Sequence, residues 1–149
     1  MKPGKKKRIF SKEEAEALLP ELEKRLRHLQ SRKEAYSRTH DALFMHELVR
    51  TAELSHGLFE EKDDLDAGIH ALEEAIESLA QDVDAIFAMG CFLRSIERGH
   101  VEFFGKYGGQ EVYFSWRVGE PSLGHYRLPG KTVHERVPLS EKNDRKKTK

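Results

Sequence analysis

The sequence predicts a mainly α protein: a long antiparallel helical hairpin, coiled-coil-like, that carries a small C-terminal antiparallel β meander. Three observations carry that expectation. Apolar residues recur at three- and four-residue spacing from Ala15 to Leu29 and again from Leu65 to Ile86. The period drops to two beyond Gly99. Charged residues make up 35% of the chain, with only 11 Gly and 5 Pro among 149 residues, a balance that suits helices with charged faces and excludes collagen-like or low-complexity chains. The organisation that follows is a basic disordered tail over 1–9, the hairpin over 10–98, the meander over 99–139 packed on the helix end, and a second basic disordered tail over 140–149.

The first helix has a start signal in Ser11 and Glu14: the Ser hydroxyl can accept from the Glu14 amide while the Glu carboxylate reaches back to the Ser11 amide. Leu18, Leu19, Leu22, Leu26 and Leu29 then form one apolar stripe with Ala15. Pro20 has no amide to donate to Glu16, which predicts a kink or a short leading turn there. The stripe turns polar at Lys33 and His40, so a break near 31–39 is expected before Leu43, Phe44, Leu48 and Leu54 restore it as far as Gly57. Glu60 to Asp64 reads as a loop feeding the next helix.

In that second helix Leu65, Ile69, Leu72, Ile76, Leu79, Val83 and Ile86 keep strict four-three spacing, the seam of a coiled coil. Gly90 suits the residue that ends it, and Gly68 early in the seam suggests close approach of another backbone. Val101 and Phe103, then Val112, Phe114, Trp116 and Val118, alternate with polar neighbours around the turn residues Gly105, Gly108 and Gly109, which predicts a β-hairpin with one apolar face. His125 to Leu128 supplies a third strand, because two strands alone are marginal. That apolar face is expected to pack on the end of the second helix, with Phe87, Phe92 and Ile96 as cover and Trp116 as central filler.

Zero net charge hides a block pattern. Residues 1–8 carry five positive charges and residues 140–149 five positive and two negative, leaving 16 positive and 24 negative over 9–139, a net of −8. Such a body repels phosphate backbones, so nucleic acid could be touched only through the two tails. No apolar stretch approaches the roughly 20 residues of a membrane span, and the basic N-terminus runs into an amphipathic segment with no signal-peptide core. Cys91, the single cysteine, can form neither an internal disulfide nor a cysteine zinc site, which fits a cytoplasmic protein. No Gly-x-Ser-x-Gly nucleophile setting and no phosphate-binding glycine loop is present. The pairs Glu53/His56 and Glu97/His100 have the Glu-x-x-His spacing of bundle metal sites, yet a hairpin places them at opposite ends, so no metal or other cofactor is assigned.

Three segments together resemble a known family: Phe10 to Pro20 (FSKEEAEALLP), Gly90 to Phe103 (GCFLRSIERGHVEF) and Glu111 to Glu120 (EVYFSWRVGE). In order and spacing they are similar to the uncharacterised bacterial family called domain of unknown function 2203. The resemblance implies a helical pair followed by a small β tail and implies no established activity. This chain has Ser115 where the family tends to have Cys before the Trp, and Tyr126-Arg127 where it usually has an aromatic-His pair. Glu102, Trp116 and Glu120 match the family and inherit whatever role those positions have.

The candidate ligand or partner residues are therefore Glu102, Trp116, Arg117, Glu120 and Tyr126, gathered in the β tail beside His125, with no catalytic residue assigned. Cross-strand pairing of Arg117 with either glutamate is the expected structural use of these charges. The functional expectation is a non-enzymatic oligomeric interaction or assembly module that pairs with itself and possibly with another protein. The alternatives are a metal-dependent or carboxylate-based small enzyme at the helix/β junction and a nucleic-acid-associated protein that binds through its tails.

Overall fold

A computed structural model of the chain describes residues 7–58 and 65–139. The expected basic tails, apart from Lys7 to Ile9, and the expected loop at Glu60 to Asp64 lie outside the described residues. Helix α1 (Lys12–Ser55) is followed by α2 (Leu65–Phe87) and by five strands, β1 (Phe92–Ser95), β2 (His100–Tyr107), β3 (Gln110–Arg117), β4 (His125–Arg127) and β5 (Val137–Pro138). The strands pair in sequence order, β1-β2-β3-β4-β5, each antiparallel to the next.

This corrects the expected fold class. The chain is a mixed α/β structure with a five-stranded sheet, and the mainly α hairpin with a small appended meander is not what forms. Two short elements account for much of the difference. Phe92–Ser95, read with the end of the hairpin, is an edge strand, and Val137–Pro138 extends the sheet at its other side. Neither is long enough to show a period in the sequence.

Chain contacts divide the protein into two compact units, Met1–Gln30 with Val83–Lys149, and Ser31–Asp82. In the first, the Ser11 cap forms as predicted: the Glu14 amide donates to Ser11 Oγ at 3.0 Å and the Ser11 amide to Glu14 Oε1 at 2.9 Å. From there α1 buries Ala15, Leu19, Leu22, Leu26 and Leu29. The helix passes Pro20 without interruption, its ring on the exposed side. At the other end of α2, Gly90 takes φ +97° and donates to the Phe87 carbonyl at 2.9 Å. The β2–β3 hairpin turns on Gly108-Gly109, both at positive φ as a two-residue loop of this twist requires.

One sheet face is apolar, with Val101, Phe103, Val112, Phe114 and Trp116 all at most 1% exposed. Phe10 reaches this face from ahead of α1: its amide donates to the Phe104 carbonyl at 2.8 Å and its ring meets Phe103 edge-on at 5.1 Å. The expected cover from the end of α2 is only partly present. Ile86 is fully buried, but Phe87 is 43% exposed and Phe92 stands in register with Glu102, on the opposite face.

The second unit holds the remainder of both helices. α1 stays helical across 31–39, where a break was expected, since helix propagation needs only backbone bonds and residues such as Arg38, 3.7 Å from Glu34, add pairs one turn apart. Arg32 bonds Asp82 at 3.0 Å and the Ser78 hydroxyl, and a Cβ on Gly68 would meet the Leu43 side chain at 2.7 Å. So it is a side chain that closes on Gly68, and the α2 surface toward α1 includes Gly68, Leu72, Ala75 and Ser78. The four-three seam is only partly covered: Leu72 and Leu79 are half-buried, while Ile69 is 44% and Ile76 51% exposed.

Candidate functional site

Alternation along β2 and β3 puts a second set of residues on the sheet face opposite the apolar one. Glu102 pairs with Ser115 and His100 with Arg117 across β2 and β3, Ser115 with His125 and Tyr113 with Arg127 across β3 and β4, and Phe92 with Glu102 across β1 and β2. This face is polar and yet buried: Glu102 and Ser115 are fully enclosed, His100 is 1% exposed and Arg127 6%.

Charge pairing explains how the sheet tolerates them. Arg127 forks onto Glu102, with Nε to Oε2 at 2.8 Å and an outer nitrogen to Oε1 at 2.7 Å, and Arg94 Nε adds a third bond at 2.8 Å. Burial pushes the Glu102 pKa up, but the bonds from Arg127 and Arg94 outweigh it and hold the carboxyl below its ordinary value. The same bond raises Arg127. Both arginines also lie against aromatic rings, Arg127 over Tyr113 at 4.5 Å and Arg94 over Phe92 at 4.9 Å. Lys7 completes the surround, donating to the Tyr113 hydroxyl at 2.5 Å.

A second network sits beside the first. His100 Nε2 and Ser115 Oγ are 2.7 Å apart, and Arg136 donates to that same oxygen at 2.8 Å while clamping both oxygens of Glu120 at 2.7 and 2.8 Å. Burial pushes His100 down to about 4, with Arg117 and Arg136 adding to the effect and Glu102 opposing it. Burial also raises Glu120, but Arg136 and the Arg117 backbone amide hold it below its ordinary value. Neither carboxylate is thus a proton donor near neutral pH. The His100–Ser115 distance is that of a nucleophile and its base, but both side chains are sealed beneath the sheet face, where no substrate reaches the hydroxyl.

Of the five candidate residues, the structure brings Glu102, Arg117 and Glu120 to this region and turns Trp116 and Tyr126 to the other face. Trp116, 1% exposed, keeps one link: its indole donates to the Glu120 carbonyl at 3.0 Å. The expected pairing of Arg117 with a glutamate does not form among the described residues. Glu102 is taken by Arg127 and Arg94, and Glu120 accepts from the Arg117 backbone while its charge goes to Arg136. Sequence reasoning missed Arg94, Arg127, Arg136, His100 and Ser115. Alternation already placed His100 with Glu102; Arg136, in an irregular loop, left no local signal. His100 of the Glu97/His100 pair bonds Ser115, and among the described residues no group of three or more His, Cys, Asp or Glu side chains is arranged to hold a metal ion.

The second unit carries a different surface. Phe44, Met45, Leu48 and Val49 on successive turns of α1 are 51–57% exposed, and Leu54 is 56% exposed. With Ile69 and Leu72 of α2, Phe44 lines an open groove of about 240 Å³ that also includes His40, Leu43 and Glu47. No helix of the described residues is long and apolar enough to cross a membrane.

Fold and sites together define a mixed α/β protein with a five-stranded antiparallel sheet, polar and cross-linked by arginine on one face, and two helices with exposed apolar rows. A family model described as an uncharacterized conserved protein, DUF2203, matches residues 8–139, and the chain belongs to that family. No curated protein and no solved structure matches it.

Proposed function

We propose that this protein is a non-enzymatic assembly module of the cytoplasm, which pairs with a second copy of itself through the helices of its Ser31–Asp82 unit. The observation that carries the reading is the uncovered apolar surface of that unit. α2 begins at Leu65, close to the Gly68 that meets Leu43, while α1 runs on to Ser55, so Leu48, Val49 and Leu54 outrun the described part of the helix that would cover them. Together with Phe44, Met45, Ile69 and Ile76 these side chains leave on the order of 700 Å² uncovered, near the ~800 Å² each partner contributes to a standard interface. Apolar rows exposed on this scale and rimmed by polar residues mark interaction sites.

A second copy is the fitting occupant because the seam of α2 has the four-three spacing of a coiled coil, and only half of it is used within the chain. Two copies related by a two-fold axis would bring four helical segments around the Phe44 and Ile69 groove as a bundle. The lone cysteine supports the cytoplasmic assignment: Cys91 is buried, and burial pushes its thiol up to about 11, an inert group in a reducing compartment.

Sedimentation equilibrium of the full chain at micromolar concentration tests the reading. The wild type should run as a dimer or larger. Ile69→Lys with Ile76→Lys, both at exposed positions, should weaken association at least tenfold while leaving the helical circular dichroism unchanged. A folded wild-type monomer across the micromolar range sinks the proposal.

A further inference from the structure

We infer that the protein binds a phosphate group at the end of the sheet where Arg98, Arg117, His125 and His134 converge, a site independent of the helical interface. Four segments meet there. The turn 96–99 is tied to the end of β3 by the Val118 amide donating to the Gly99 carbonyl at 3.0 Å. The loop after β4 arrives with His134, whose Nδ1 lies 3.3 Å from an outer nitrogen of Arg98. The same loop brings Arg136 onto Ser115 and Glu120, and His125 stands in register with Ser115.

The arginines at this corner outnumber the carboxylates bonded to them. Arg98, Arg117 and Arg136 lie around Glu120, whose two oxygens both go to Arg136, while Glu135 of the same loop accepts from the Thr132 amide. Arg98 and Arg117 pair with no carboxylate among the described residues. Two buried nitrogens here, Arg117 Nε and His125 Nδ1, have no hydrogen-bond partner among the described residues. Both are costly omissions in a sheet that otherwise satisfies its polar groups closely. Desolvation and the neighbouring Arg136 and Arg98 charges lower the Arg117 pKa, which registers the same uncompensated repulsion. On the other half of the face Glu102 answers its two arginines with three hydrogen bonds, so the excess is local.

A phosphate supplies the anionic partner that Arg98 and Arg117 lack among the described residues. It is close to dianionic near neutral pH and can answer the Arg98 and Arg117 guanidiniums together. Its oxygens suit the planar fork of an arginine. Arg98 and His134 are exposed and Arg117 is half-buried, so the site is open at Arg98 and closed behind Arg117.

Calorimetric titration of the full chain with inorganic phosphate at pH 7.5, against sodium chloride and sodium acetate at matched ionic strength, is the test. Saturable one-to-one binding of phosphate, with acetate at least tenfold weaker, is expected. Arg98→Gln, at an exposed turn position, should weaken phosphate binding at least tenfold, and Arg117→Gln should do the same. No saturable phosphate binding by the wild type, equal binding of acetate, or full phosphate affinity in Arg98→Gln would each overturn the inference. Should Arg117→Gln fail to fold, Arg98→Gln alone decides it.

Discussion

A histidine buried among arginines has a measurable consequence for stability. His100 ordinarily titrates near 6.5 and in the folded chain only near 4. Between those values the unfolded chain binds a proton that the folded chain refuses, so the contribution of His100 is complete above pH 6.5 and is lost as pH falls toward 4. A gap of that size corresponds to roughly 3 kcal/mol in all, about 2 kcal/mol of it gone by pH 5. Glu102 and Glu120, both held below their ordinary value, extend the loss below about pH 4.5. Replacing His100 by Gln, which can still bond Ser115, should therefore flatten the curve between pH 7.5 and 5. Urea melts at several pH values would show wild type losing about 2 kcal/mol more than His100→Gln over that interval. Parallel curves for the two proteins would show that His100 titrates normally, and the buried pair would need another explanation.

At the scale of elements, the sheet is fastened to the start of α1 by one close backbone approach. Phe10 bridges Gly105 in parallel, and a Cβ at Gly105 would drive into the Phe10 carbonyl oxygen and the Phe114 ring. A backbone oxygen cannot swing aside as a flexible side chain can. Gly105→Ala is expected to cost about 2–3 kcal/mol, the upper range for overpacking, whereas Gly108→Ala, which meets nothing within 4 Å but holds φ +62°, should cost about 1 kcal/mol. Chemical melts of the two variants rank them, and equal midpoints would remove Phe10 as the fastening. What was legible in the sequence at this scale was local: the Ser11 box, the Gly90 stop and the Gly108-Gly109 hairpin are each written in a few consecutive residues. Pairing across distance was not. The seam of α2 announces an apolar stripe but not its partner, and α1 meets only part of it, Leu72 beside the smaller Gly68, Ala75 and Ser78, while Ile69 and Ile76 stay exposed. At the candidate site Glu102 was found from its place in a motif and in an alternating strand, while its partners Arg94 and Arg127 come from β1 and β4, strands of four and three residues whose register no local pattern fixes.

For the whole molecule, the charge blocks seen in the sequence do not describe the folded surface. A body of net −8 over residues 9–139 gathers Arg94, Arg98, Arg117, Arg127 and Arg136 around Glu102 and Glu120 on one sheet face, so a chain that repels phosphate on average has a corner that attracts it. The division into units has a further consequence. Ser31–Asp82 is an insert whose one end leaves from the middle of α1 and the other from the last turns of α2, so the sheet unit is assembled from separate stretches of chain. Heptads can then be excised only in pairs. Removing residues 33–39 from α1 together with 73–79 from α2 shortens each helix by about 10 Å and keeps Arg32 facing Asp82, so Trp116, the sole tryptophan, should report an unaltered melt of the sheet unit. Excising either heptad alone sets Leu43 out of step with Gly68 and should lower the helical signal on heating by several degrees. A paired deletion that melted the Trp116 environment early would show the insert and the sheet to be one cooperative structure. In the arrangement seen, length is an adjustable parameter of this chain, quantised in sevens and entered twice.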